Sequence, residues 1–251
     1  MDKDIQQKID QTVQWLQNQV KESKTNGLIV GISGGIDSAV VAYLIKQTFP
    51  KNSLGVILPC KSNPKDQEDA ILVAKGCNIE YVNLDLSKVH DTLLDNIVNT
   101  MKNKNLLKDE NSLQLSDANL RARLRMSSIY CIANTLNYLV VGTDNAAEIY
   151  TGYFTKYGDG GVDILPIANL QKKEVYEWAK YMEVPQSVID RPPSAGLWEG
   201  QTDEYEMGTT YDKIDAFLEG KSIPKEDEEI IQRLHIRSQH KRMTPATPPI
   251  F

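Results

Sequence analysis

A chain of 251 residues, 41% of them hydrophobic, can bury a sizeable core, and 28 basic against 34 acidic residues leave a net charge of -6, which argues against nucleic acid or an anionic membrane as main partner. The three cysteines, Cys60, Cys77 and Cys131, form no CxxC pair, so neither a disulfide framework nor a zinc site is indicated and a reducing cytoplasm is the expected compartment. Behind Met1-Asp2-Lys3-Asp4 lies no apolar stretch of signal-peptide length, and no window of the sequence approaches the ~18 apolar residues of a membrane span.

Ile5, Ile9, Val13, Leu16 and Val20 recur at three- and four-residue steps, the stripe of an amphipathic helix over residues 1–24, with Trp15 beside it. Leu28-Ile29-Val30-Gly31-Ile32 then reads as a strand, followed by a Gly/Ser turn and a helix through Ala39 to Ile45 that stops before Pro50. The alternation continues with a strand at Leu54 to Leu58, a helix over Gln67 to Lys75 ended by Gly76, a strand at Ile79 to Val82, helices through Leu94 and Met126, and a strand at Tyr138 to Gly142. Continuous apolar strands separated by helices are what a parallel sheet covered on both faces requires. The expected fold class is therefore α/β, a doubly wound parallel sheet flanked by helices, in a single domain spanning 1–251. Beyond Gly142 come a glycine-rich segment from Thr151 to Gly161, a helix near Lys172 to Met182, an aperiodic stretch over 191–208, helices at Tyr211 to Leu218 and Lys225 to His235, and a Pro-rich tail over 236–251.

The chemistry starts where the first strand ends. A glycine-rich turn from strand to helix exposes backbone N–H groups and the positive helix end to an anion, and phosphate is the natural ligand. In Ser33-Gly34-Gly35-Ile36-Asp37-Ser38 the glycines allow close backbone approach and the serines add hydroxyls. No lysine follows the glycines, so the loop is not a GxxxxGK[ST] loop. It carries Asp37 at its mouth instead. A carboxylate about 4 Å from a phosphate charge is repelled by roughly 4 kcal/mol at an effective dielectric of 20, and a magnesium ion between them reverses the sign. A plain Gly-Ser turn with Asp37 as a helix cap is the bland alternative.

This loop resembles the pyrophosphate loop of the ATP pyrophosphatase group, whose members split ATP into AMP and pyrophosphate to activate a carbonyl or carboxylate oxygen. Val141-Gly142-Thr143-Asp144-Asn145-Ala146-Ala147-Glu148, Gly152-Tyr153-Phe154-Thr155-Lys156-Tyr157-Gly158-Asp159-Gly160-Gly161, the run Pro193 to Glu204, and His240-Lys241-Arg242 together resemble the NAD synthetase family, an adenine nucleotide α-hydrolase-like fold. The resemblance covers nearly the whole chain. It implies ammonia-dependent amidation of deamido-NAD, with AMP, pyrophosphate and NAD as products of an NAD-adenylate intermediate.

The resemblance also implies residue roles. Gly31, Ile32, Ser33, Gly34, Gly35, Ile36, Asp37, Ser38, Thr143, Lys172 and Ser194 are expected at ATP, with Asp37 and Glu148 holding magnesium. Asp37 and Lys172 are the expected catalytic pair, the lysine supplying in space what the loop lacks in sequence. Arg123, Lys156, Asp163, His240 and Lys241 are expected at deamido-NAD. Arg121, Arg123 and Arg125 sit on a helix where alternate positions do not share one face, so only a subset can meet substrate. The segment 191–208 carries Leu197 and Trp198 and is expected to act as a lid excluding water from the adenylate. Its family's use of the C-terminal tail implies a homodimer. A glutamine-using version would need a further amidase domain, so free ammonia is the expected nitrogen donor. One departure stands out: where relatives often have histidine, this chain has Asn145. Rival readings are another enzyme of the ATP group, such as a GMP synthetase subunit or a tRNA thiolase, and a non-catalytic nucleotide sensor.

Overall fold

The computed structural model describes residues 2–107, 112–194 and 202–250. In chain order, α1 (Asp2–Ser23), β1 (Gly27–Gly31), α2 (Ile36–Thr48), β2 (Ser53–Ile57), α3 (Pro64–Gly76), β3 (Glu80–Asn83), α4 (Ser87–Asn103), α5 (Ser112–Leu136) and β4 (Tyr138–Val141) build the first part. There follow α6 (Ala146–Thr151), α7 (Lys172–Tyr181), α8 (Gln186–Ile189), α9 (Asp203–Met207), α10 (Tyr211–Leu218), α11 (Lys225–Arg237) and α12 (Gln239–Arg242).

The four strands form one parallel sheet in the order β3-β2-β1-β4. β1 lies inside it, and the two-residue pleat sends its side chains to opposite faces. Leu28 and Val30 pack with α1, α2 and α7, whereas Ile29 packs with Val56, Val140 and the α5 residues Ile129 and Ala133. Both faces are therefore covered by helices, as expected for a doubly wound sheet. The α1 stripe behaves as its spacing predicts: Ile5, Ile9, Leu16 and Val20 are buried in the core, while Trp15 is exposed. The α3 helix begins three residues earlier than its apolar pattern suggests, because Pro64 occupies the first turn and the Asn63 side chain accepts from Lys65 N. β3 is a half-solvated edge strand rather than a buried one.

After β4 the chain leaves the sheet through the glycine-rich segment and returns alongside it, with Gly142 N donating to Ile164 O and a parallel bridge joining Val141 to Ile164. Gly152, in the left-handed region at φ +68°, ends α6; a Cβ there would lie 2.1 Å from Ser238 Cβ. A smaller apolar cluster, Ala147, Met207, Tyr211, Ile214 and Ile231, then fastens α6, α9, α10 and α11 into a helical annex. This annex stands over the carboxyl end of β4, and the periodicity of the sequence did not reveal the short helices α6, α9 and α12 that complete it.

Candidate active site

The strand order places the reversal of winding between β1 and β4, and open α/β sheets bind ligands in the crevice at that point. The loop leaving β1 fills one side of the crevice. Gly34 adopts φ +86°, and a Cβ there would fall 2.5 Å from Asp66 O, so only glycine lets the loop lie against α3. Ser33 N donates to Ser38 Oγ at 3.2 Å, Gly35 N to Ser33 Oγ at 3.2 Å, and Ser38 Oγ to Gly35 O at 2.9 Å. Gly35 precedes α2 and contributes no side-chain cap. The first-turn N–H groups of α2 are thus presented to a ligand.

The loop leaving β4 fills the other side. Asn145 caps α6, its Oδ1 accepting from Ala147 N and Glu148 N, while Glu148 Oε2 accepts from Asn145 N at 3.1 Å, a reciprocal capping box. The Asn145 side-chain Nδ2 donates across the crevice to Asp37 Oδ1 at 2.8 Å. Lys172 projects from the first turn of α7, its Nζ 2.6 Å from Asp37 Oδ2 and 3.5 Å from Glu148 Oε1. The α10 residue Asp215 holds the start of α7 by accepting from Lys172 N and Lys173 N. Asp37, more than a hundred positions before Glu148 and Lys172 in sequence, is brought together with both.

Electrostatics make this a site for additional positive charge. Burial would lower the pKa of Lys172, and the charges of Asp37 and Glu148 more than offset it, so the ammonium is held protonated. Burial, with Asp37 adding repulsion, pushes Glu148 up to about 7. Asp144, 6% exposed, is raised well above the usual carboxylate range by burial, then by Asp159, Glu148 and Asp37. One lysine does not satisfy this many carboxyl groups. Among the described residues there is no group of three His, Cys, Asp or Glu side chains able to hold a metal by themselves. Asp37 with Glu148 nevertheless fits magnesium, which typically takes one or two carboxylates and completes its shell with substrate phosphates and water.

A cavity of about 410 Å³ opens beside these groups. Gly31, Ile32, Ser33, Gly35, Ile36, Asp37 and Ser38 line it, as do Thr143, Glu148, Lys172 and Ser194. Gly34 does not, since it faces α3 instead. Of the five residues expected at deamido-NAD, only Lys241 lines the cavity, and its Nζ donates to Gly152 O at 2.7 Å and Phe154 O at 2.6 Å. Arg123 donates to Lys156 O, Lys156 donates to His240 O, and the Asp163 carboxylate accepts from Tyr130 OH at 2.9 Å and Val140 N at 2.8 Å. These four form a flank on one face of α5, where Arg123 and Tyr130 stand two turns apart. Arg242 turns inward, donating to Ile149 O and Tyr150 O at the end of α6.

Two arginines enter the cavity wall without a site role having been assigned to them in the sequence: Arg125, one of the three α5 arginines of which only a subset could meet substrate, and Arg191. Arg125 donates Nε to Leu58 O and Nη2 to Ser62 Oγ, each at 3.0 Å, and has no carboxylate ion pair among the described residues. Arg191 pairs with Asp66 and, at 3.5 Å, with Asp69 on α3, tying the start of the 191–208 segment to the phosphate-loop side. The middle of that segment, 195–201, with Leu197 and Trp198, lies outside the described residues. Tyr211 and Asp203 were also missed: no local pattern marks a tyrosine 63 positions from Glu148 as its hydrogen-bond partner.

A family model described as NAD synthase matches residues 8–245. A protein named NH(3)-dependent NAD(+) synthetase from Alkaliphilus oremlandii is 62% identical over 250 residues, covering 100% of both chains. Among solved structures, NMN synthetase from Francisella tularensis superposes with a TM-score of 0.91 at 39% identity, covering 98% of this chain and 99% of the other. The NH3-dependent NAD synthetase from Campylobacter jejuni, in complex with nitrate, gives a TM-score of 0.74 at 29% identity, with 98% and 99% covered.

Proposed function

This chain belongs to the NAD synthase family, and from that premise we infer that it amidates deamido-NAD with ammonia in the last step of NAD biosynthesis, cleaving ATP to AMP and pyrophosphate through an NAD-adenylate. The observation that carries the site assignment is the convergence of Asp37, Glu148 and a protonated, buried Lys172 at the mouth of a glycine-rich strand-to-helix loop.

A carboxylate is a poor acyl acceptor, because its charge repels a nucleophile and oxide is its leaving group. Adenylation removes both obstacles. The pyridine carboxylate oxygen bonds to the α-phosphorus of ATP while the bond to the pyrophosphate oxygen breaks. The Ser33 to Ser38 loop receives the pyrophosphate, with the α2 N–H groups and Lys172 stabilising its developing charge. Ammonia then adds to the adenylated carbonyl, loses a proton and expels AMP. Asp37 and Glu148 would hold magnesium, which when bound neutralises phosphate charge. Arg123, Lys156, Asp163, His240 and Lys241 are proposed to bind the pyridine nucleotide; Asp163 and Lys241 already serve structural partners and would act with the capacity those bonds leave. Incubation with ATP, magnesium, ammonia and deamido-NAD should yield NAD and AMP in equal amounts, and absence of AMP at saturating substrates would refute the assignment.

The likeness to the Francisella NMN synthetase supports a second reading in which the preferred acid is the corresponding mononucleotide. The chemistry is the same, and comparing kcat/KM for the two acids decides between them.

A homodimer is proposed as well. Val89, Leu93 and Ile97 repeat every fourth residue along α4 and are exposed, as is Leu115 on α5. An apolar stripe of this kind is well suited to a self-complementary interface between two copies. Light scattering should give the mass of a dimer, and Leu93→Glu with Ile97→Glu should give a monomer; a monomeric parent would refute the proposal. With ATP and a pyridine nucleotide as substrates the reaction is assigned to the cytoplasm; among the described residues no helix is long and apolar enough to cross a membrane.

A further inference from the structure

Tyr211 begins α10 and is 4% exposed, yet its hydroxyl is placed between two acidic groups, 3.0 Å from Glu148 Oε1 and 3.0 Å from Asp203 Oδ2. The Lys172 ammonium lies 4.5 Å from the centroid of the same ring. One helical turn further along α10, on the same face, Asp215 accepts from the backbone N–H of Lys172 and Lys173. A single short helix therefore touches the side chain of Glu148 and both the side chain and the backbone of Lys172. Tyr211 is not among the residues that line the cavity, so it touches these groups from behind.

We propose that Tyr211 is a positioning residue, whose hydroxyl orients the Glu148 carboxylate toward a divalent cation and whose ring holds the Lys172 ammonium beside it. Tyr211 OH fixes Glu148 Oε1 while Asn145 N fixes Oε2, so the carboxylate plane is set and each oxygen keeps a lone pair for a cation. Partners of this kind govern metal affinity although they never touch the metal. The aromatic face favours a cation above it without supplying a competing charge, so Lys172 keeps its proton and can be drawn toward phosphate. The phenol has one proton for two carboxylate oxygens at equal distance, and Asp203 is thereby linked to the same hydrogen bond. Phenylalanine at 211 would keep the ring and its packing against Ala147, Met207 and Ile231 and remove only the hydroxyl.

The inference rests on the reading of Asp37 and Glu148 as cation ligands, and the test separates the two. Mn²⁺, which favours the same hard oxygen donors, is titrated into the full chain with ATP, and free Mn²⁺ is followed by electron paramagnetic resonance. Four proteins are compared: the parent, Glu148→Gln, Tyr211→Phe and Tyr153→Phe. The last removes a hydroxyl that holds α9 through Glu206 at 2.7 Å and also bonds Asp203, but makes no hydrogen bond to Glu148 among the described residues, so it reports the effect of loosening α9 and Asp203 alone. Tyr211→Phe should bind Mn²⁺ about tenfold more weakly than the parent, Glu148→Gln at least as weakly, and Tyr153→Phe as the parent does. In turnover, Tyr211→Phe should raise the Mg²⁺ requirement and leave KM for the pyridine nucleotide unchanged. Parental Mn²⁺ affinity in Tyr211→Phe, or equal weakening in Tyr153→Phe, overturns the positioning role. Parental affinity in Glu148→Gln overturns the metal reading and this inference with it. Should Tyr211→Phe fail to fold, Asp203→Asn reads the same hydroxyl: it removes the competing carboxylate and commits the phenolic proton to Glu148, so Mn²⁺ should bind at least as tightly as in the parent. Weaker binding there counts against the proposal.

Discussion

Asn145 Nδ2 lies 2.8 Å from Asp37 Oδ1, so one amide caps α6 with its oxygen and restrains the phosphate-loop carboxylate with its nitrogen. The two roles separate by substitution. Asn145→Asp keeps an acceptor for the α6 N–H groups but sets a second carboxylate against Asp37, whereas Asn145→Ala removes both functions. Loss of the cap costs about 1 kcal/mol. Asn145→Ala should therefore lose about that much stability, whereas Asn145→Asp, which buries a further carboxylate against Asp37 at a fully buried position, should lose more in thermal unfolding, and both should lose turnover. Parental kcat in Asn145→Asp would remove the Asp37 contact from the account.

Lys172 is buried and ion-paired, and its role as a point charge at the phosphates has a kinetic signature. Lys172→Met should lower kcat by roughly 10²–10³, the loss seen when one preorganised donor to a developing anion is removed. Lys172→Arg should not restore it, since a planar fork does not reproduce a single contact at 2.6 Å in a side chain only 4% exposed. Steady-state kinetics on both variants checks this, and near-parental kcat in Lys172→Met would contradict it.

The upward shift of Glu148 to about 7 has a defined sign in the metal-free protein. A carboxyl group whose folded pKa exceeds its unfolded value, 4.5, opposes folding as pH rises above the unfolded pKa, and the effect is complete above the folded one. Glu148→Gln should accordingly gain stability relative to the parent as pH rises from 4.5 to about 7, the interval those two values set. Chemical denaturation in the presence of a chelator measures it. A relative loss of stability over that interval would mean that Glu148 is held as the anion.

Arg125 faces the cavity with no carboxylate ion pair among the described residues, and burial lowers its pKa. A substrate anion or nucleotide edge is its natural complement. Replacing it with Gln should raise KM for at least one nucleotide substrate about tenfold, the scale of one charge-assisted hydrogen bond, with little change in kcat. Unchanged KM for both substrates would confine Arg125 to bracing the end of β2 through Leu58 O.

Much of the sheet was legible because its strands are continuous apolar runs of four or five residues, each set off by turn residues or a helix. The phosphate loop was legible because its chemistry is local: glycines, serines and Asp37 are contiguous. Lys172 and Glu148 could be assigned only through the family resemblance, and their approach to Asp37 depends on α7 and α6 being set by packing far from the loop. Tyr211 and Arg125 carried no such signal. An aromatic at the start of a helix and an arginine on a polar helix look ordinary in sequence, and their partners are Glu148 and Leu58, 63 and 67 positions away. The flank formed by Arg123, Lys156 and His240 shows the reverse case, residues grouped in space but beside the cavity rather than lining it.

The route of the carboxylate oxygen tests the central claim most directly. Deamido-NAD labelled with ¹⁸O in its pyridine carboxylate is turned over with ATP and ammonia, and the phosphorus products are read by ³¹P magnetic resonance for the isotope shift. Attack of the carboxylate on the α-phosphorus places one labelled oxygen in AMP and none in pyrophosphate. Unlabelled AMP, or label recovered in pyrophosphate or inorganic phosphate, would contradict activation by adenylation at the Asp37, Glu148 and Lys172 site.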